Sequence, residues 1–373
     1  MNILAINWRC IKNPEMGGAE IHFQEIFKRI VAKGHSVTLT SHKFDGAPET
    51  ENIDGIDIIR IGNKYLFDQQ FKKFYLSQLK NQNFDLVVDD ISKIPLKTPK
   101  YINKPIIGIL HHIHGNSLYK EVPFPIAYYV ARKEKQIPKY YNETPIFTVS
   151  NSTKSELVKL GFDESKTGIL YNAIDQDLFD NIKVEKSDTP LISYVGRIKN
   201  YKNIDQIIHA VSILIQTIPD LKFLIGGKGD NLENLKKKVS DLNLNKNIEF
   251  IGYLSEEKKA EILGKSWLFV TMAEKEGWGI TVIEANAMKT PAIGSDVPGL
   301  RDSIKHGETG YLVPLGNSKS LAQKIEKIIK NKDELSRLSN NAFEWSKNFS
   351  WDNSAEHFLE KIGEWYPELK DKF

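Results

Sequence analysis

The sequence has a single cysteine, Cys10, among its 373 residues. One cysteine can build neither an internal disulfide framework nor a Cys-rich metal site, and it suits a reducing, cytoplasmic setting. No apolar run approaches the ~20 residues that a membrane-crossing helix needs. The opening MNILAINWRC has no basic segment ahead of its short apolar run, so it reads as a buried first strand and not as a secretory leader. Charge of one sign is also scarce. The formal net charge of +3 is too small to mark a nucleic-acid binder. All of that excess lies in residues 1–183, with 24 Lys+Arg against 21 Asp+Glu, while residues 184–373 carry 27 of each. Finally, the loop after the first apolar run lacks a clean G-x-G-x-x-G, which argues against a dinucleotide-dependent dehydrogenase.

What is present is an alternation of two periodicities. NILAIN, SVTLTS, IDGIDIIRIG, FDLVVDD, PIIGIL and PIFTVS are short β-branched runs. Between the first two lies GGAEIHFQEIFKRIVAKGH, apolar at Ile21, Ile26, Ile30 and Val31 and stopped at Gly34, which predicts a helix. The alternation then restarts with ISYVGRI, IDQIIHAVSILIQTI, LKFLIGG, LENLKKKVSDL, NIEFIGYL, EKKAEILGKS, WLFVTM, TVIEANAMK and PAIGS. Strands alternating with helices predict parallel, doubly wound sheets. The expected organisation is α/β with two such domains, 1–183 and 184–353, and a terminal helix 354–373 packing back on the first. The polar stretch Asp180 to Pro190 is the expected linker. Ligands of such sheets bind beyond the carboxyl ends of the strands, so two facing sheets would share a central cleft.

The chemistry-bearing residues fall in strand-end loops. Gly17 and Gly18 precede the first helix, where bare backbone and free N–H groups attract an anion. Arg197 and Lys202, in VGRIKNYKN, offer a diphosphate a bidentate fork and a point charge. Both are expected to be solvent-accessible. EKEGWGITVIEANA places Glu276 and Glu284 seven residues apart around Gly277, Trp278 and Gly279. A helix beginning near Gly279 would leave Glu276 in the loop and Glu284 just over one turn inside. Its amino end suits a phosphate, and the carboxylates suit sugar hydroxyls. GILHHIHG carries His111, His112 and His114, but adjacent strand residues point to opposite faces, so no metal site is expected. Between Tyr119 and Tyr141, Lys120, Arg132, Lys133, Lys135 and Lys139 outnumber Glu121 and Glu134. They interleave with Phe124, Tyr128, Tyr129 and Tyr140. That mixture fits weak contact with an anionic membrane surface, or an amphipathic helix whose rings pack in the core.

Together these segments resemble glycosyltransferase family 4 of the GT-B fold, and the resemblance covers essentially the whole chain. It is closest to the subgroup with NWR…GGAE, here Asn7–Glu20, EGWG-TVIEAN, here Glu276–Asn286, and SD-PGLRDS…GETG-LVP, here Ser295–Pro314. Two departures are Cys10, at a position where the subgroup has an acidic residue, and LHHIHGNS, where a histidine followed by Gln or Asp is the pattern. The resemblance implies a retaining, metal-independent hexosyltransferase without a cofactor. Its donor would be a nucleotide-diphosphate sugar and its acceptor a glycan or a lipid-linked glycan, reached from the cytoplasm at the inner membrane face. It implies that Gly17 and Gly18 approach the donor and that Arg197 and Lys202 neutralise the diphosphate. Glu276 and the backbone of Gly277, Trp278, Gly279, Ile280 and Thr281 would hold the sugar and phosphate. Glu284 would accept from the ribose, and His111 or its neighbour His112 would contact the sugar near the anomeric centre. The rival readings are an NDP-sugar epimerase or phosphorylase of the same fold, and a non-catalytic nucleotide-sugar binder.

Overall fold

The structure, a computed structural model, describes residues 1–113, 115, 119 and 123–373. His114, Lys120 and Glu121, named above, lie outside the described residues. The chain forms two compact units, Met1–Asn172 with Trp351–Phe373, and Ala173–Ser350.

The first unit is built on an eight-stranded sheet in the order β3-β4-β2-β1-β5-β6-β7-β8. Its strands are β1 Asn2–Ile6, β2 Ser36–His42, β3 Thr50–Ile53, β4 Ile56–Ile61, β5 Leu86–Asp90, β6 Ile106–Leu110, β7 Ile146–Thr148 and β8 Thr167–Ile169. All neighbours run parallel except β3 and β4, which are antiparallel. The central strands are buried on both faces, as a helix-covered parallel sheet requires, which is why NILAI and LVVDD read as continuous runs and not alternations. The helix Gly18–Ala32 buries Phe23, Ile26, Phe27 and Ile30, one stripe at helical spacing. The terminal helix Trp351–Trp365 closes over it, with Phe27 and Phe358 edge to face at 5.2 Å and Arg29 reaching Asp352 at 3.0 Å.

The second unit carries a six-stranded parallel sheet in the order β11-β10-β9-β12-β13-β14. These are β9 Leu191–Val195, β10 Lys222–Gly226, β11 Ile248–Gly252, β12 Leu268–Thr271, β13 Ala292–Ser295 and β14 Gly310–Val313. Its core joins Ile192, Tyr194, Phe223, Ile225, Leu268 and Val270 of the sheet to Ile207, Ile208 and Val211 of helix Ile204–Leu214. Both units are therefore doubly wound Rossmann-like α/β domains.

The units divide at Asn172/Ala173 and Ser350/Trp351, against 183/184 and 353/354 expected from composition. Residues 174–176 are tied within the second unit. Ile174 bridges to Ser350, and the Gln176 amide donates to the carbonyls of Ser346 and Phe349 at 3.0 and 3.2 Å. The polar stretch Asp180 to Pro190 is likewise pinned. The Ser187 amide donates to the Lys265 carbonyl at 3.0 Å, and the Trp267 indole donates to the Ser187 carbonyl at 2.8 Å. Composition reads polarity and misses these backbone anchors.

Candidate active site

In each sheet one strand pair marks where the strand order reverses, and there the loops diverge and leave a crevice beyond the carboxyl ends. In the first unit that pair is β1 and β5. Asn7, buried directly after β1, donates from Nδ2 to Oδ2 of Asp90 at 2.9 Å. Asp90 ends β5, and His111, the first residue after β6, sets Nε2 3.4 Å from the same oxygen. Its predecessor Asp89 faces the opposite way, as strand periodicity demands. It accepts from the hydroxyls of Tyr141 at 2.6 Å and Thr98 at 2.5 Å, and burial pushes its carboxyl up to about 6.

The His111 ring meets His22 edge to face, with centroids 5.0 Å apart. His22 is fully buried on helix Gly18–Ala32, and its Nε2 lies 3.0 Å from the Leu170 carbonyl. A carbonyl only accepts, so Nε2 carries the proton. Burial, then the charge of His111, hold His22 well below the usual histidine range. For His111, burial acts downward but is outweighed by the charge and hydrogen bond of Asp90 and by the charge of Glu20, so its pKa is raised. Glu20, also buried, accepts from the Gly17 amide at 2.6 Å and caps the helix start. Gly17 is the residue before the helix and Gly18 its first residue, with Gly18 exposed.

This arrangement gives a testable sign. The raised folded-state pKa means that the Asp90–His111 pair stabilises fully below the unfolded histidine value of ~6.5 and is lost as pH rises through the folded value. In Asp90→Asn, burial is left in command, so His111 should titrate below ~6.5 instead of above it. The imidazole Cε1 proton shift, followed by NMR, reads this directly; an unmoved titration would remove Asp90 as the cause.

In the second unit the order reverses between β9 and β12. The loops after these two strands are zipped together. The Glu274 amide donates to the Tyr201 carbonyl at 2.8 Å, and the Asn203 side chain donates to the Met272 carbonyl at 3.1 Å. The ammonium of Lys202 is ion-paired with Glu276. Arg197 is exposed, with Nη2 on the Tyr201 hydroxyl at 2.9 Å. Lys202 departs from the expected accessibility, with only 12 % of its side chain exposed, because Glu276 and the Tyr201 ring cover it.

The helix Ile280–Ala287 starts immediately beyond Gly279. Gly279 has φ +96°, a left-handed conformation that a side chain resists. Trp278 turns its ring inward, 2 % exposed, against Phe349 at 5.1 Å, and so anchors the loop by its side chain. Gly299 supports it from the other side: a Cβ there would lie 2.0 Å from the Glu276 carbonyl oxygen. Glu284 is buried within the helix and accepts from Lys259 at 2.6 Å through Oε1. Lys259 also reaches Glu256 at 2.6 Å; burial opposes its charge, but Glu284 and Glu256 hold its pKa above the usual lysine range.

The structure thus brings Arg197, Lys202 and Glu276 together and sets Glu284 on a separate ion pair. Sequence reasoning missed Asp90, Glu20, His22, Lys259 and Gly299. Asp90 was visible as a second carboxylate closing an apolar strand, and Gly299 stood in the quoted PGLRDS segment. Nothing local marks Lys259. Among the described residues, no three His, Cys, Asp or Glu side chains are grouped as metal ligands.

Residues 175–345 match the family described as "Glycosyl transferases group 1", and residues 16–178 match "Glycosyltransferase Family 4". An uncharacterized glycosyltransferase of Methanocaldococcus jannaschii is 25% identical over 95% of this chain and 96% of its own length. The poly(glycerol-phosphate) alpha-glucosyltransferase of Bacillus subtilis is 23% identical over 78% of this chain but only 43% of its own length. Among solved structures, a sucrose-phosphate synthase of Thermosynechococcus elongatus superposes with a TM-score of 0.79 at 21% identity, covering 100% of both chains. Anabaena HepE, solved with UDP and glucose, superposes with 0.75 at 16% identity, over 98% of this chain and 100% of its own. Those likenesses carry the fold, which is GT-B.

Proposed function

We propose, from the premise that this chain is a glycosyltransferase with a group 1 domain and a family 4 domain, that it moves a hexosyl unit from a nucleotide-diphosphate sugar to a glycan or lipid-linked glycan. The observation that carries the donor reading is the meeting of Lys202 with Glu276, beside exposed Arg197 and the amino end of helix Ile280–Ala287. Two cations and a helix start suit a diphosphate leaving group, whose charge grows as the glycosidic bond breaks. Glu276, freed from Lys202 as phosphate takes its place, accepts from sugar hydroxyls. Glu284 offers its second oxygen to the ribose, and His111 contacts the sugar near the anomeric centre. The pairing of cations with the leaving group makes a metal unnecessary. The family resemblance implies retention, and the proposed route is same-face attack, with the leaving phosphate taking the acceptor's proton. The UDP and glucose in the HepE structure support a nucleotide donor.

A thermal-shift panel of UDP-, GDP- and ADP-sugars tests the donor, and transfer in EDTA tests the metal. At least one nucleotide sugar should raise the melting temperature, and transfer should proceed undiminished in EDTA. Activity lost to EDTA and restored by Mg or Mn would overturn metal independence. Product formed without acceptor would favour the epimerase or phosphorylase.

We further propose weak peripheral contact with anionic membranes, reached from the cytoplasm. Helix Phe124–Glu134 turns Ala127, Val130 and Ala131 inward and leaves Phe124 69 % and Tyr128 52 % exposed, with Tyr129 beside them. The alternative, with rings in the core, describes Tyr141, which is buried, and Tyr140, which is partly buried and packs against the same cluster. Lys133 lies over Tyr129 at 5.1 Å, and Lys100, Lys97 and Lys139 ring Tyr140 at 4.6, 5.0 and 5.9 Å. Each such cation near an anionic surface contributes about 1 kcal/mol. Among the described residues no helix is long and apolar enough to cross a membrane, so the contact would lie on the surface. Phosphatidylglycerol vesicles should pellet the protein at low salt and release it at high salt. Binding unchanged by charge reversal at Arg132, Lys133 and Lys135 would end this proposal.

A further inference from the structure

A second cluster of charge lies at one edge of the first sheet, drawn from the loops after β1, β2 and β4 together with Glu51 of β3 and Arg60 of β4. Arg9 and Lys64 close on one carboxylate, Glu15, at 2.8 and 3.0 Å through different oxygens. Lys12 and Arg60 share Glu51, and Lys43 pairs with Glu49. Five cations therefore rest on three carboxylates, and the ion-paired groups of this edge carry two positive charges in excess. Burial lowers the pKa of His42, beside them, and outweighs its hydrogen bond to the Lys43 carbonyl.

Arg9 is the distinctive member. It follows Asn7 at the β1–β5 crevice, its amide donating to Asn7 Oδ1 at 3.3 Å, and Asn7 in turn holds Asp90. Its Nη2 is engaged by Glu15, while its Nε is buried and has no hydrogen-bond partner among the described residues. A guanidinium that offers Nε and Nη2 along one edge presents a fork suited to two oxygens of a single anion. A buried donor left unmet is costly, and an oxyanion that takes the place of Glu15 would meet it. Beside Lys64, the Tyr65 ring is 78 % exposed, with the Lys64 ammonium 5.5 Å from its centre. The Glu15 carboxylate, in the loop ahead of Gly17, occupies the place where an outside anion would meet both cations.

We infer that Arg9 and Lys64 form a receptor for a phosphate or carboxylate group on the acceptor, and that Glu15 is the internal anion this group displaces. The inference rests on the transferase reading and adds a substrate class to it: the acceptor is anionic. The Tyr65 ring supplies an apolar platform for the carbon skeleton beside the charge.

The test uses the intact protein and glycerol 3-phosphate, with glycerol as the neutral control and calorimetry as the readout. Wild type should bind the phosphate and ignore glycerol. Arg9→Gln and Lys64→Gln should each weaken binding about tenfold or more, the scale for a lost charge-assisted hydrogen bond. Glu15→Gln should tighten it severalfold, because the competing carboxylate is gone. That gain separates a receptor from a structural clip, since a clip would only lose by the change. Equal affinity for glycerol and its phosphate, or a Glu15→Gln variant that binds no tighter, would overturn the inference. A vesicle arm assigns the source: if Arg9→Gln abolishes pelleting with phosphatidylglycerol, the anion is a lipid headgroup; if only soluble phosphate responds, it is a free acceptor. The nucleotide-sugar thermal shift is measured on the same samples. A normal donor shift with no anion effect sinks this inference alone, whereas a wild type blind to every donor sinks the transferase reading.

Discussion

Replacing Arg197 or Lys202 with alanine is expected to lower turnover by roughly two to three orders of magnitude, the scale for losing one group that stabilises transition-state charge. The two variants should part company in stability. Arg197 is exposed and loses only its bond to the Tyr201 hydroxyl, so its variant should melt as wild type does. Lys202→Ala leaves the half-buried Glu276 without its cation, and its melting temperature should fall by a few degrees. Steady-state kinetics with the donor identified by thermal shift, followed by calorimetric melting, checks both halves. Turnover within a few-fold of wild type in either variant would remove the diphosphate clamp from the mechanism.

The second large effect is expected from Gly299→Ala. A Cβ at this position would stand 2.0 Å from the Glu276 carbonyl oxygen and 2.8 Å from the Gly277 carbonyl carbon. Both are backbone atoms, so they cannot swing aside as a side-chain tip would. The added methyl must push helix Pro298–Ser303 away from the Glu276–Gly279 loop or push the loop out of place. Overpacking of this kind costs about 1–3 kcal/mol, and a ~1 Å displacement of a positioning group can cost about a hundredfold in rate. The expected result is about a hundredfold fall in kcat/KM with a folded protein. Gly316→Ala is the control, because it adds a methyl at φ +81° into open space. It should pay a backbone strain of about 1 kcal/mol without touching activity. If the two variants behave alike, the contact at Gly299 has no role in positioning the loop.

The physical origin of these two predictions differs in how far each was readable. Arg197, Lys202 and Glu276 stood out as charges in short loops after apolar strand runs, where a soluble α/β protein places its ligand groups. Their ion pair did not, because Lys202 and Glu276 are 74 residues apart and meet only through the zipped loops after β9 and β12. Trp278 was expected to contact the donor through its backbone; that its ring is committed to the interior against Phe349 was not legible. Cys10 departs from the family pattern at a position that the fold buries, with Sγ 3.2 Å from the Arg60 guanidinium; an acidic side chain would meet that same cation.

What the amino-acid order determined by itself is local. Apolar periodicity set the strands and helices, and the glycines at 17, 18 and 279 set where two helices begin. Those choices depend on φ/ψ preferences and on which face of a segment avoids water, both expressed within a few residues. What only the tertiary structure decided is pairing across long separations. The return of a terminal helix to the first unit was expected, but which side chains meet there, Phe358 against Phe27 and Phe147, no local pattern encodes. Asp90 governs His111, Lys259 holds Glu284, and Arg9 and Lys64 converge on Glu15, in each case because sheet order brings distant loops to one edge. Charge and burial at these points are properties of packed neighbours, so the raised pKa of His111 and the unmet donor of Arg9 came into being only when the chain folded.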